Sequence, residues 1–203
     1  IGAWAVAAAM LDTRFPSGGY DYGQASADIA EVIYQDTYLD IPGYFDLTDD
    51  QNNYWYTLGI TGLIDAFYSS STHTTEIAGL MTILSECQLV NGAYSYYYGA
   101  NMDDEDWQST AYAVLSQARV DQATYQSNIN KACYWLAWTQ DASSGGWVYS
   151  SGNHYPEEGG ENTAALYFGN NPDEVWVDDD FDASTPGWDI THFATIQNGI
   201  NAV

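Results

Sequence analysis

The chain has 203 residues, of which 3 are Lys or Arg and 28 are Asp or Glu, so its formal net charge is −25. Such a surface repels nucleic-acid phosphates and anionic lipid headgroups, and we expect no partner of either kind. Apolar residues make up 46% and aromatic residues 16% of the chain. This content is enough to fill a folded core and excludes general disorder.

No stretch approaches the ~20 continuous apolar residues that a membrane-spanning helix needs. Residues 1–10 lack the cationic region of a signal peptide, and no initiator Met is present, so we interpret the chain as a piece of a longer product. Its few basic residues and abundant Asp and Tyr are typical of exported microbial surface proteins. We therefore expect an extracellular or cell-surface location.

Three amphipathic helices are predicted from apolar residues at the spacing i, i+3, i+4, i+7. They cover approximately residues 4–11, 77–87 and 125–136. The glycine-aromatic turns that end them are Gly18-Gly19-Tyr20, Gly92-Ala93-Tyr94 and Gly145-Gly146-Trp147. Glycine ends a helix readily because it adopts positive φ. We expect these to be the outer helices of a repeat.

Three further helices are predicted near residues 53–68, 105–118 and 161–168. They contain Thr57, Thr110 and Thr163, which are separated by 53 residues each. A fixed period of this size indicates stacked supersecondary units. The first of these helices is apolar on more than one side, which is typical of an inner helix covered on both flanks. The first unit also carries about twenty extra residues, which we place within 24–42.

Two motifs carry a resemblance to a known family. Gln88-x-x-x-Gly92-x-Tyr94 and Gln140-x-x-x-x-Gly145-Gly146-Trp147, each followed by a Thr-Ala helix, resemble the repeats of the terpenoid cyclase and protein prenyltransferase α/α toroid. The resemblance covers about residues 2–168. It implies a mainly α fold, with a partial α/α toroid of three helical hairpins over residues 1–169.

Residues 170–203 resemble a different structure. Val175-Trp176-Val177, Thr185-Pro186-Gly187-Trp188 and the segment from Phe193 to Ala202 are similar to the N-terminal cap of right-handed parallel β-helix domains in surface proteins. The resemblance implies a linker and a short C-terminal β/α cap segment that leads into a β-helix.

Acidic residues precede each predicted inner helix. One interpretation is helix capping, since carboxylates at a helix N-terminus accept hydrogen bonds from free N–H groups. The other is a calcium site, because calcium prefers hard oxygen ligands. Apart from calcium at this site, we expect no cofactor. Residues 178–189 have a weak similarity to a calcium loop. The candidate ligands are Asp103, Asp104, Asp106, Asp178, Asp180 and Asp182.

No catalytic residue is predicted. The run Asp104-x-Asp106 is similar to the acid motif of class II terpenoid cyclases, but three residues separate it from Thr110. Cys87, Cys133 and the histidines lack the close spacing of zinc ligands. Both cysteines lie on apolar helical faces, so we predict that they are buried and free.

Aromatic residues concentrate in the turns and polar loops. Aromatic rings beside carboxylates are suited to stacking on sugar rings, and the candidates for such contacts are Tyr94, Tyr96, Trp147 and Tyr149. The alternative is packing between repeats, where aromatic side chains contribute large buried area.

The sequence favours a non-catalytic extracellular structural or cell-surface module, part of a fibre or surface assembly. We expect contact with other copies or with neighbouring domains through an uncovered apolar face that includes Trp4, Ala8 and Leu11. A carbohydrate-binding or carbohydrate-active domain, with polysaccharide as its partner, is the first alternative. A terpenoid-cyclase-like enzyme is the second.

Overall fold

A computed structural model describes residues 2–16, 19–39, 55–98, 102, 104–148, 152–153, 155–169, 176–177 and 192–193. These residues are mainly α-helical. The helices are α1 (Gly2–Arg14), α2 (Tyr22–Ile33), α3 (Thr57–Ser70), α4 (Thr74–Glu86), α5 (Trp107–Trp138) and α6 (Pro156–Gly169), with a π-helical turn at Tyr34–Tyr38. The short strands are β1 (Trp55–Tyr56), β2 (Tyr94–Ser95), β3 (Tyr97–Tyr98), β4 (Glu105–Asp106), β5 (Trp176–Val177) and β6 (His192–Phe193).

The chain forms two compact units. Unit 1 comprises Ile1–Leu89 and Ser95–Glu105, and unit 2 comprises Val90–Tyr94 and Asp106–Val203. Strands β1 and β3 pair antiparallel in unit 1, where Tyr56 lies opposite Tyr97. Strands β5 and β6 pair parallel in unit 2, where Trp176 lies opposite His192.

The core of unit 1 lies around α3 and α4. Their fully or nearly fully buried apolar side chains are Ile60, Leu63, Ile64, Phe67, Ile77, Leu80, Met81 and Leu84. Helix α1 packs against α2 and α3 through small residues instead. Ser26 donates a hydrogen bond to the carbonyl of Ala5 (2.8 Å), and a Cβ on Gly2 would overlap the carbonyl oxygen of Gly62. The α1 backbone therefore approaches its neighbours closely.

Helix α2 lies in the segment where we placed about twenty extra residues and predicted no helix. Its N-cap is Asp21, which accepts a hydrogen bond from the Gln24 backbone N–H (2.8 Å). Its buried residues Ser26, Ala30 and Ile33 recur at helical spacing. The cap residue and the helical spacing of small and apolar residues are both visible in the sequence, so a helix here is readable from it. This segment also contacts the N-terminus of α4. The Tyr34 and His73 rings stack with their centroids 4.1 Å apart, and the His73 Nε2 atom lies 3.2 Å from a Glu31 carboxylate oxygen.

Helix α5 of unit 2 is two helices joined at Asp121, whose φ and ψ of −163° and 82° are not helical. The Asp121 carboxylate accepts hydrogen bonds from the backbone N–H and hydroxyl of Thr124, so it caps the second half. These hydrogen bonds lower the Asp121 pKa. The two halves coincide with the helices predicted at 105–118 and 125–136.

Helix α6 packs on both halves of α5. Glu161 accepts hydrogen bonds from Gln108 (2.9 Å) and Tyr112 (2.8 Å) in the first half. Further along α6, a Cβ on Gly169 would come within 2.6 Å of the Cys133 sulfur in the second half. Only a glycine therefore permits this close approach of the helices.

Two of the three predicted glycine turns contain a glycine with positive φ; at the first turn Gly18 lies outside the described residues and Gly19 does not have positive φ. Gly92 has φ of +98° and Gly145 has φ of +70°. At Gly92 a Cβ would also overlap the carbonyl oxygen of Lys131, so this position excludes a side chain on two grounds. The predicted helices and the mainly α composition are confirmed among the described residues. The toroid arrangement and the domain boundary at residue 169 stay predictions.

Candidate functional site

The threonines of the 53-residue period do not occupy equivalent helix positions. Thr57 is the first residue of α3, Thr110 the fourth of α5 and Thr163 the eighth of α6. Thr57 donates to the Ser95 carbonyl at 2.5 Å, and Thr110 accepts from the Tyr94 N–H at 2.8 Å. Both are fully buried and fix the chain after a glycine turn, whereas Thr163 is exposed and donates a hydrogen bond to the Gly159 carbonyl of its own helix.

The acidic residues before α5 have separate roles. Asp106 is the N-cap of α5 and accepts a hydrogen bond from the Ser109 N–H at 2.7 Å. The Asp104 backbone carbonyl accepts from the Tyr96 N–H at 2.8 Å, while its side chain is exposed. The capping interpretation therefore describes Asp106.

The other candidate calcium ligands, Asp103, Asp178, Asp180 and Asp182, lie outside the described residues. Within the described part of the chain, no three His, Cys, Asp or Glu side chains are grouped as a metal site would require. Calcium binding at the acidic loops stays a prediction. Melting the protein with and without a chelator tests it, because an ion that binds only the folded chain raises the melting temperature.

Two of the four candidate sugar-stacking residues are part of the interior. Tyr94 is 0% exposed and Trp147 is 5% exposed, and the Trp147 indole N–H donates to the Leu136 carbonyl at 3.0 Å. Burial prevents both rings from stacking on a sugar at the surface. Tyr149 lies outside the described residues, and Tyr96 is half-buried.

Tyr96 belongs to a cluster of three tyrosines in unit 1 that we call the tyrosine triad. Its ring lies 5.2 Å from that of Tyr56 and 4.6 Å from that of Tyr97, with both pairs in edge-to-face contact. Tyr56 and Tyr97 are 5.2 Å apart, and the Tyr56 side chain is 49% exposed. Edge-to-face packing holds aromatic rings in defined orientations.

The sequence places Tyr97 beside Tyr96 in the same aromatic-rich loop, but it does not reveal Tyr56 as their partner. The pairing of β1 with β3 brings them together, although 41 positions separate Tyr56 from Tyr97. Next to this cluster in the chain, the Tyr98 hydroxyl donates to a Glu86 carboxylate oxygen at 2.8 Å. Burial, followed by that contact with Glu86, raises the pKa of Tyr98 to about 12.

The thiols of Cys87 and Cys133 are buried and free. Burial raises the pKa of each to about 12, so both stay protonated at neutral pH. A protonated, buried thiol is a poor nucleophile and a poor metal ligand. These two residues therefore behave as small apolar side chains.

No described helix has the length and apolar character to cross a membrane. No protein-family model, curated protein or solved structure matches this chain.

Proposed function

We propose that this chain is a non-catalytic structural module of an extracellular or cell-surface protein that associates with further copies of itself. The local chemistry supports a structural role for its polar residues. Asp106 and Asp121 cap helices, and Thr57 and Thr110 anchor loops to helix ends. The net charge of −25 disfavours nucleic acid and anionic membranes as partners.

The observation that carries the proposal is the exposed apolar stripe of α1. Trp4, Leu11 and Phe15 recur along one side of the helix and are 73%, 38% and 52% exposed. The Phe15 N–H still donates to the Leu11 carbonyl, so this side continues one residue past the helix end. Large apolar side chains exposed along one side of a helix are typical of protein contact sites.

Sedimentation velocity at increasing protein concentration tests the proposal, in about 0.15 M salt to screen the like charges. We expect the natural chain to self-associate and the Trp4→Ser/Leu11→Ser variant to stay monomeric. Val90→Ser is the matched control, because Val90 is a fully exposed apolar residue outside α1. A natural chain that is monomeric at every concentration would reject self-association.

The family resemblances support the same proposal. We propose that the helical hairpins form a partial α/α toroid and that residues 170–203 begin a β-helix cap, as in modular surface proteins. The glycine turns at Gly92 and Gly145 and the parallel pairing of β5 with β6 agree with these assignments. An experimental structure of a longer segment of the protein would test both.

The tyrosine triad favours a second candidate function, binding of a neutral polysaccharide. Tyr56 offers an exposed aromatic ring, and its two neighbours hold that ring in place. Affinity electrophoresis through gels that contain neutral or acidic polysaccharides tests this function. Retardation in a neutral gel that Tyr56→Ala removes and Tyr167→Ala leaves unchanged would support it, since Tyr167 is an exposed tyrosine of α6. Equal mobility in all gels would reject it.

A further inference from the structure

Asn91 and Gly92 lie in the turn that follows α4 and differ in their exposure to solvent. Asn91 is exposed, whereas Gly92 is buried and has φ of +98°. The Lys131 carbonyl oxygen occupies the place of a Cβ at Gly92. The residue after Asn91 is therefore held as glycine, the residue that obstructs attack on the preceding side chain least.

The Asn91 side chain is folded back over the next peptide group. Its Oδ1 accepts a hydrogen bond from the Ala93 N–H at 3.2 Å, which closes an Asx turn around Gly92. The ring that this bond closes contains both the Asn91 amide carbon, Cγ, and the Gly92 backbone nitrogen, so it restrains their relative position. The hydrogen bond also polarises the Cγ=O bond, as a donor aimed at a developing oxyanion does.

We propose that Asn91 is a site of spontaneous deamidation in the folded protein. The Gly92 nitrogen gives up its proton to solvent base and attacks Asn91 Cγ, so that a new N–C bond forms. The bond from Cγ to the amide nitrogen then breaks, and ammonia leaves with a proton from solvent. Water opens the resulting cyclic succinimide at either carbonyl, which yields aspartate or isoaspartate at position 91.

The product differs from the original turn in charge and in main-chain length. Both products add a carboxylate to a chain that already carries a net charge of −25. Isoaspartate also adds a methylene to the backbone just before Gly92, which is packed against Lys131. Two residues after Gly92, the Tyr94 N–H donates to Thr110 at 2.8 Å, so the turn is fixed on this side and absorbs little extra length.

The test is peptide mapping by mass spectrometry after incubation of the full chain at mildly alkaline pH, both folded and in concentrated urea. We expect Asn91 to deamidate at least as fast in the folded chain as in urea, because the Asx turn holds the reacting groups together. Asn128 and Asn130 are internal controls, since both lie within α5 and should stay unchanged in the folded protein. Slower reaction at Asn91 in the folded chain than in urea would overturn the proposal.

Two variants separate the chemistry from its consequences. Asn91→Gln keeps an amide but lengthens the side chain, which disfavours ring closure. The increase in peptide mass that accompanies deamidation should therefore disappear at position 91. Asn91→Asp carries the new charge without the longer backbone. If the aged natural protein melts at a lower temperature than the fresh Asn91→Asp variant, the loss of stability is assigned to isoaspartate. Equal melting temperatures would refute the predicted strain on the turn.

Discussion

Helices α1 and α4 of unit 1 carry apolar residues at similar spacing and bury opposite kinds of side chain. In α4 the large residues Ile77, Leu80, Met81 and Leu84 are buried. In α1 the buried residues are Ala5 and Ala8, whereas Trp4 and Leu11 are exposed. The uncovered face that we predicted for α1 therefore contains Trp4 and Leu11 but not Ala8.

The difference shows that close backbone packing and burial of large side chains are alternative ways to attach a helix. Helix α1 approaches α2 and α3 closely because Gly2, Ala5 and Ser26 are small. The hydrogen bond from Ser26 to the Ala5 carbonyl also stabilises the contact between α1 and α2. A helix attached by its small residues presents its large ones elsewhere. That leaves α1 with the exposed stripe on which the proposed self-association depends.

The largest expected effect comes from shortening leucines in the two helices. Leu84→Ala should lower the free energy of unfolding by about 2–5 kcal/mol, because it leaves a cavity in the core. Leu11→Ala, at a 38% exposed position, should cost less than about 1 kcal/mol. Denaturant unfolding of both variants measures the contrast. Equal costs would mean that α1 and α4 are buried alike.

A smaller effect is expected from enlarging the small residues of α1. Ala5→Leu should lower the free energy of unfolding by about 1–3 kcal/mol, because this residue is fully buried at the contact where Ser26 of α2 bonds to its carbonyl. Ala7→Leu is the matched control, since Ala7 is exposed on the same helix and should change stability little. If both variants unfold at the same denaturant concentration, close packing does not hold α1 in place.

A pH-dependent effect, absent near neutral pH, concerns the thiol of Cys87 at the end of α4 and that of Cys133 in α5. The pKa of Cys87 and of Cys133 is raised by burial from 9.0 to about 12, so the unfolded chain loses these protons first as the pH rises. The contribution of the two thiols to the free energy of unfolding should therefore be fully present below pH 9 and be lost between pH 9 and about 12. Tyrosines such as Tyr98 also ionise there, so the Cys87→Ala/Cys133→Ala variant is needed as the reference.

Thiol labelling gives an independent measure of the same burial. A thiol-reactive probe should leave the folded protein unmodified near neutral pH and find two free thiols in the unreduced, unfolded chain. Rapid labelling of folded protein would show that the end of α4 is open. A chain that yields no thiols on unfolding would instead contain a disulfide.

Several features of this protein are readable from the sequence because they depend on neighbouring residues. Apolar spacing marks α4 and the second half of α5, and Gly92 and Gly145 mark turns whose positive φ other residues adopt rarely. Asp106 was recognisable as a cap because an N-cap acts within one helical turn. Local geometry determines each of these features.

Other features are decided only where distant segments meet. Periodicity shows that α1 has an apolar side, but contact with α2 and α3 decides that its alanines, and not Trp4, are buried. The pairing of β1 with β3 decides that Tyr56 meets Tyr97, and burial decides that Tyr94 and Trp147 are structural rather than exposed. The physical reason is that burial and contact belong to pairs of elements, and a local pattern specifies only one member of each pair.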